Sequence, residues 1–158
     1  TVSILSGYPS FPTISVMKIP SKSRTLPSIA RCLTKEGYAT DFLYGGDIDF
    51  TNMRSYLLST GYQHIFSKEN YTAAEQKTSK WGVRDEITFE TLYNNIIHRK
   101  NTPWLSTFLT LSSHEPWVVP IHRFSDERLH AFAYLDDCIG HFINRIKKSP
   151  QRKNMLVI

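Results

Sequence analysis

Ser112, Ser113, His114 and Glu115 put the most chemistry into the shortest span of this chain. An imidazole beside two hydroxyls suits a tetrahedral anion, because each group can hydrogen-bond a different oxygen. A Ser and a His one or two positions apart do not identify a nucleophile and its base, since that pairing is defined in space and not by spacing. The four residues follow Trp104-Leu105-Ser106-Thr107-Phe108-Leu109-Thr110-Leu111, an apolar run rich in aromatic and β-branched side chains. Such a run reads as a buried strand of a parallel sheet. In open α/β sheets ligands bind beyond the carboxyl ends of the strands, so His114 is expected at a binding crevice.

Two other stretches carry similar groups. Gly45-Gly46-Asp47-Ile48-Asp49 follows a short strand over residues 38–44, and paired glycines let backbone approach a ligand closely. Asp47 and Asp49 could ligate a metal, although a cap or turn role is favoured for them. In Trp81-Gly82-Val83-Arg84-Asp85, Trp81 could wall a pocket and Arg84 could grip an anion. The competing reading, slightly favoured, places Trp81 in the core and Arg84 in solvent. His64, His98, His122, His130 and His141 show no metal-ligand spacing and default to surface or core positions. There is no GxGxxG and no GxxxxGKS/T, so the glycine-rich phosphate loops are absent.

The elements that must position these groups alternate. Residues 1–5 read as the end of a helix or strand, closed by Ser6-Gly7-Tyr8-Pro9, and residues 10–27 as a proline-rich surface loop. A helix is predicted over 26–35, with Ile29, Ala30 and Leu33 on one face and Gly37 as its stop. After the strand ending at Tyr44, a second helix is predicted over 50–60, capped by Asp49 or Thr51 and stopped by Gly61. A brief strand over 62–66 and a polar irregular stretch over 67–80 follow. Asp85 is a natural N-cap for a helix that carries Ile87, Leu92 and Ile96. The longest helix is predicted over 126–148, with Leu129, Phe132, Leu135, Ile139, Phe142 and Ile146 at spacings of three and four, and a last strand from Asn154. Helix and strand in alternation imply an α/β fold with a mainly parallel sheet and helices on both faces.

Composition bounds the function classes. The 158 residues fit one domain, and 41% hydrophobic with 21% charged residues is an ordinary globular balance. Lys plus Arg exceed Asp plus Glu by 19 to 14, and the resulting +5 favours anionic partners. Part of that charge clusters at Arg145, Lys147, Lys148, Arg152 and Lys153, which reads as a solvated helix end. Cys32 and Cys138 form neither a disulfide framework nor a metal cluster and are expected as buried thiols. No run approaches the length of a membrane span, and there is no signal-peptide pattern. The apolar Met155-Leu156-Val157-Ile158 at one end and Val2-Ser3-Ile4-Leu5 at the other suggest a piece of something longer.

Taken in order, several of these motifs resemble one family. Val2-Ser3-Ile4-Leu5-Ser6-Gly7-Tyr8-Pro9, Leu26-Pro27-Ser28-Ile29-Ala30, Gly37-Tyr38, Tyr44-Gly45-Gly46-Asp47, Phe50-Thr51-Asn52-Met53 and Gly61-Tyr62 are similar to the lipoteichoic-acid-synthase-type sulfatases of the alkaline phosphatase superfamily. Trp81-Gly82-Val83-Arg84-Asp85 and Thr110-Leu111-Ser112-Ser113-His114-Glu115-Pro116 continue the match over nearly the whole chain. The resemblance implies a sulfatase- or alkaline-phosphatase-like fold, here incomplete, with residues 1–158 as one partial catalytic domain. It implies a metal-dependent phosphoryl- or sulfuryl-ester hydrolase or transferase acting through a threonine upstream of Thr1. A divalent metal, typically manganese, would take its ligands from outside this chain, including an Asp-His pair beyond Ile158. The isolated piece would then be inactive.

His114 matches the family's substrate-binding histidine, and with Tyr44, Asp47, Trp81 and Arg84 it makes up the expected substrate-binding set. Tyr44, Thr51 and Met53 stand where lipoteichoic acid synthases place His, Trp and Arg to hold glycerol phosphate. That departure leaves open a phosphoglycerol, a phosphoethanolamine or a sulfate ester. The implied setting is extracytoplasmic, in the cell envelope, tethered by a membrane region absent from the chain. The rival class is a non-catalytic basic α/β module gripping nucleic acid or an acidic polymer. Nucleic acid is disfavoured as a partner, because no aromatics interleave with the basic cluster as single-strand stacking requires.

Overall fold

Three strands form one parallel sheet in the order β2-β1-β3 in the computed structural model, which describes residues 1–100 and 103–158. The strands are β1 (Ala39–Tyr44), β2 (His64–Phe66) and β3 (Trp104–Leu109). β1 is central, pairing Asp41 to Leu43 with His64 to Phe66 and Ala39 to Tyr44 with Trp104 to Leu109. The connection from β1 steps to one side, and the connection from β2 crosses to the other. The loops leaving β1 and β3 therefore part at the carboxyl edge, the arrangement that opens a crevice there.

Helices cover both faces, as the alternation implies. On one face α1 (Val2–Ser6), α3 (Ile29–Lys35) and α4 (Met53–Ser59) bury Leu5, Ala30, Tyr56 and Leu57 against Phe42 and Tyr62. On the other, α5 (Asp85–Ile97) and α6 (Glu127–Lys148) bury Phe89, Leu92, Tyr134 and Phe142. The two-residue period of a strand divides β3 between them, with Leu105 and Leu109 on the first side and Trp104 and Phe108 on the second. Asp41, 2% exposed, points into the second layer, where it pairs with Arg99 and accepts from Ser106 Oγ at 2.6 Å. That charge cluster fastens the end of α5 to both long strands.

Several expectations are revised. β3 is half-buried throughout, since among the described residues it pairs on one side only. Residues 10–27 contain a short helical turn at Val16–Lys18 and the four-residue α2 (Pro20–Ser23). Pro27 lies outside α3, whose N-cap is Ser28, its hydroxyl accepting from Ala30 N–H at 3.2 Å. Ile29 is turned outward at 43% exposure. The second helix is only Met53–Ser59, because Thr51 and Asn52 adopt left-handed backbone angles and break the preceding turn off it. Neither Asp49 nor Thr51 caps it.

In α6 the buried stripe is His130, Ala131, Tyr134, Cys138, Phe142 and Ile146, one residue every four, while Leu129, Phe132 and Ile139 face outward. Polar-capable residues thus fill the interior where the spacing of aliphatics pointed elsewhere. His130 can do so because its Nδ1 accepts from the backbone N–H groups of Arg123 and Phe124 at 2.7 and 2.8 Å. Cys138 is buried as expected, but Cys32 is exposed on α3. No strand begins at Asn154. Pro150–Asn154 is a 3-10 turn, and Met155 to Ile158 form no regular element.

Candidate functional site

Three segments converge at the carboxyl edge of the sheet: the exit of β1, the approach to α5 and the exit of β3. The first two are clamped backbone to backbone. Gly46 and Gly82 form an antiparallel bridge, and Val83 N–H donates to Gly45 C=O at 2.9 Å. Gly82 holds φ +147, and a Cβ there would collide with the Gly45 carbonyl, so glycine is required on both counts. Val83 is fully buried beneath the clamp.

Asp85 joins the third segment. It does not cap its helix; Arg84 occupies the N-cap position without a side-chain cap, and Asp85 is the first residue of α5. Its carboxylate, 1% exposed, accepts from Leu111 N–H at 2.9 Å and from Ser112 N–H at 2.8 Å. Burial pushes this carboxyl above its ordinary range, and the two backbone donors offset part of the rise. The sequence signal was a carboxylate at a helix start, which is equally the signal for a cap. Only the return of β3 to that helix end supplies the other partner.

From this anchor the chain makes two successive turns, with His114 N–H donating to Leu111 C=O and Trp117 N–H to His114 C=O, each at 3.2 Å. His114 is exposed at the first of them. Its Nδ1 lies 2.9 Å from Glu115 C=O. A carbonyl only accepts, so the proton sits on Nδ1 and Nε2 is the ring atom left for a ligand. The neutral ring would accept there from a hydroxyl, and the imidazolium would donate to a non-bridging oxygen of an ester. Trp81 braces this ring edge-on at 5.6 Å, and its Nε1–H donates to the same Glu115 carbonyl. Trp81 is 43% exposed and lines a cavity of about 360 Å³ with Lys80, Glu115, Pro116, Trp117 and Glu127. The favoured core position for Trp81 does not hold; it is a wall.

The other expected residues sit apart from that pair. Tyr44 is half-buried with its ring folded over Gly46, where a Cβ would strike it. Burial raises its hydroxyl pKa, with the charges of Asp47 and Asp85 adding to the rise. Asp47 closes a turn by accepting from Asp49 N–H at 3.0 Å and pairs with Lys68 at 3.0 Å, and that lysine holds its carboxyl below the usual range. Asp49 pairs with Arg54 at 2.8 Å. Asp47 therefore takes the favoured turn role, whereas the Asp49 carboxylate neither caps nor closes a turn and is held by Arg54. Arg84 is half-buried, not solvated: it pairs with Glu86 at 2.8 Å and keeps a buried Nε without a partner. Among the described residues no hydrogen bond or ring contact ties Tyr44, Asp47 or Arg84 to the His114–Trp81 pair. Nor do three His, Cys, Asp or Glu side chains gather there as a metal site requires. The residues present do not by themselves fit a manganese ion.

The parallel sheet covered on both faces and the site at its carboxyl edge belong to a known class. The chain belongs to the sulfatase family, which matches it over residues 2–158. It is 26% identical over 148 residues to phosphoglycerol transferase I of Xanthomonas campestris, covering 82% of this chain and 21% of that protein. It is 23% identical over 165 residues to lipoteichoic acid synthase of Staphylococcus aureus, covering 98% of this chain and 25% of that protein. The chain thus spans about a fifth to a quarter of the length of these relatives. Among solved structures, a protein in the alkaline phosphatase superfamily from Vibrio parahaemolyticus superposes with a TM-score of 0.82 at 30% identity, over 94% of this chain and 38% of that one. The lipoteichoic acid synthase LtaP of Listeria monocytogenes shares the fold, with a TM-score of 0.78 at 20% identity over 92% of this chain and 38% of that one.

Proposed function

We propose that this chain is the substrate-facing part of a phosphoryl- or sulfuryl-ester hydrolase or transferase. The observation that carries the reading is the Trp81-braced His114, with Nε2 unengaged, at the carboxyl edge of a sulfatase-family sheet. His114 binds the anionic ester and, as an imidazolium, donates to an oxygen that gains charge in the transition state. Trp81 walls the site, and Arg84, paired through its Nη2 with Glu86, keeps a buried unpartnered Nε on the approach to α5 that an anion could use. Tyr44 and Asp47 border the site from the exit of β1. A threonine nucleophile and a divalent metal, manganese in this reading, come from residues outside this chain; the metal would neutralise the ester's charge. The names of the relatives, a phosphoglycerol transferase and a lipoteichoic acid synthase, support a phosphoglycerol-bearing substrate, and an extracytoplasmic, membrane-anchored setting belongs to the same reading. Among the described residues no helix is long and apolar enough to cross a membrane.

The experiment is ester turnover by the full-length protein with manganese, using an aryl phosphate and an aryl sulfate as probes. His114→Ala is expected to lower turnover of the preferred ester by roughly 10²–10³-fold, the usual loss for one donor to a developing oxyanion. Unchanged turnover would overturn the assignment of His114.

A further inference from the structure

The cavity beside His114 carries charges that an anion site does not call for. Two carboxylates line it, Glu115 and Glu127, against one ammonium, Lys80. All three side chains are exposed, and neither carboxylate has a cationic partner among the described residues. Most of the chain's other carboxylates are engaged. Asp47 holds Lys68, Asp49 and Glu69 share Arg54, Glu86 holds Arg84, Glu90 holds Arg145 and Asp137 holds Arg123. Lys80 borders the same cavity as both free acids, yet it pairs with neither. Its Nζ lies over the Trp81 ring, 5.8 Å from the centroid. That indole already serves as a seat for an ammonium, since the face of the ring is its negative side.

The start of a helix favours an acid, which accounts for Glu127 in the first turn of α6. It does not account for Glu115, which lies in the His114 turn, or for a second indole on the same cavity. That indole belongs to Trp117, whose backbone sits at φ +62. The left-handed region is an outlier for so bulky a residue. Such angles persist where the surrounding structure enforces them, and they gather at ligand clamps.

The cavity and the histidine are neighbours. Trp81 lines the first and stands edge-on to the second, with ring centroids 5.6 Å apart. Glu115 belongs to both as well, its carbonyl receiving the two ring N–H groups while its carboxylate borders the cavity. An anion held at His114 and a cation held in the cavity are therefore separated by one indole.

We propose that the cavity lined by Trp81, Trp117, Glu115 and Glu127 takes an alkylammonium group carried by the alcohol of the ester, so that the substrate class is a zwitterionic phosphate ester. The inference rests on the reading of His114 as the group that binds the anion. The phosphate meets His114, and the ammonium meets the indole face with the two carboxylates beside it. There a cation is favoured over an uncharged group of the same shape. This goes beyond the names of the relatives, since phosphoglycerol carries no cation.

The test is calorimetric binding to the full-length protein with manganese, using two pairs of monoesters. Phosphocholine is compared with neohexyl phosphate, its carbon isostere, and phosphoethanolamine with propyl phosphate. In at least one pair the charged member is expected to bind about tenfold tighter, and that pair tells a quaternary from a primary ammonium. The ratio within a pair cancels what the phosphate contributes and reads the cavity alone. E115Q/E127Q should bring the ratio to about one, whereas K80Q, which removes the competing ammonium, should raise it severalfold. All three side chains are exposed, so circular dichroism should match wild type for both variants. His114→Ala should weaken both members of a pair by the same factor and leave the ratio in place. A wild-type ratio near unity, with His114→Ala weakening both esters, would overturn the inference and leave the reading of His114 standing. So would a ratio that survives in E115Q/E127Q. A ratio present while His114→Ala weakens neither ester would overturn the reading of His114 and the zwitterionic substrate with it. Binding of none of the four esters would overturn both.

Discussion

The Trp81 indole and the His114 imidazole meet edge-on, with ring centroids 5.6 Å apart and planes at 78°, and both donate to the carbonyl of Glu115. One backbone oxygen thus fixes the orientation of both rings. Its consequence is a definite tautomer, with the proton on Nδ1 and a bare Nε2 facing outward. Nitrogen-15 spectra of the neutral ring should show a protonated Nδ1. Trp81→Phe keeps the edge contact and removes one donor, so the tautomer should persist. Trp81→Ala removes the wall, and the signal should move toward a mixture of the two forms. A wild-type ring protonated on Nε2 would contradict the arrangement.

Asp85 is the fastening between α5 and the exit of β3, and its loss should be felt in stability. Asp85→Ala leaves the buried N–H groups of Leu111 and Ser112 without an acceptor. An unsatisfied buried donor costs about 1–3 kcal/mol, so a loss of about 2–4 kcal/mol is expected in urea melts. Asp85→Asn keeps one acceptor oxygen and should lose less than half of that. Equal stability of Asp85→Ala and wild type would show that water replaces the carboxylate.

Much of this was readable from the chain. The alternation of periodicities implied a parallel sheet with two covered faces, and the crevice rule placed His114 at its edge. What was not readable depends on long-range return of the chain. Asp85 carries the same local signal whether it caps its own helix or holds a strand 26 positions away. Trp81 could be assigned to core or wall only once the Glu115 turn came back against it. In α6, Leu129 and Phe132 fitted a helical stripe, but Tyr134 and His130 are buried with backbone N–H groups to satisfy them and take the interior instead. The break before α4 depends on left-handed angles at Thr51 and Asn52; asparagine tolerates that region, but a β-branched threonine gives no sign of it.

The two thiols should differ sharply in reactivity. Cys32 is exposed, whereas Cys138 lies under α5, where burial pushes its thiol up to about 11. The thiolate is the reactive form, so at pH 8 an aromatic disulfide reagent should titrate one thiol rapidly and the second only on unfolding. Cys32→Ser should abolish the fast phase. Two fast thiols in the native protein would mean that the α5–α6 interface opens readily.

Tyr62 gives the fold an alkaline limit. Its ring stands edge-on to Phe42 at 5.4 Å, its hydroxyl is 2.7 Å from Thr107 Oγ1, and burial pushes its pKa up to about 12. Unfolded, the phenol ionises near pH 10, so between about pH 10 and 12 the unfolded chain releases a proton that the folded chain keeps. Stability is therefore whole below pH 10 and falls as pH rises through that window, by up to about 3 kcal/mol for this group. Tyr62→Phe removes the titration while giving up one hydrogen bond, worth about 1 kcal/mol at neutral pH. Urea melts at pH 7, 9, 10 and 11 should show the variant less stable at pH 7 and nearly level with wild type at pH 11. Tyr56 and Tyr134 are also raised by burial, so some alkaline fall should persist in the variant. Parallel stability curves for the two proteins from pH 9 to 11 would mean that the Tyr62 hydroxyl reaches solvent in the folded state.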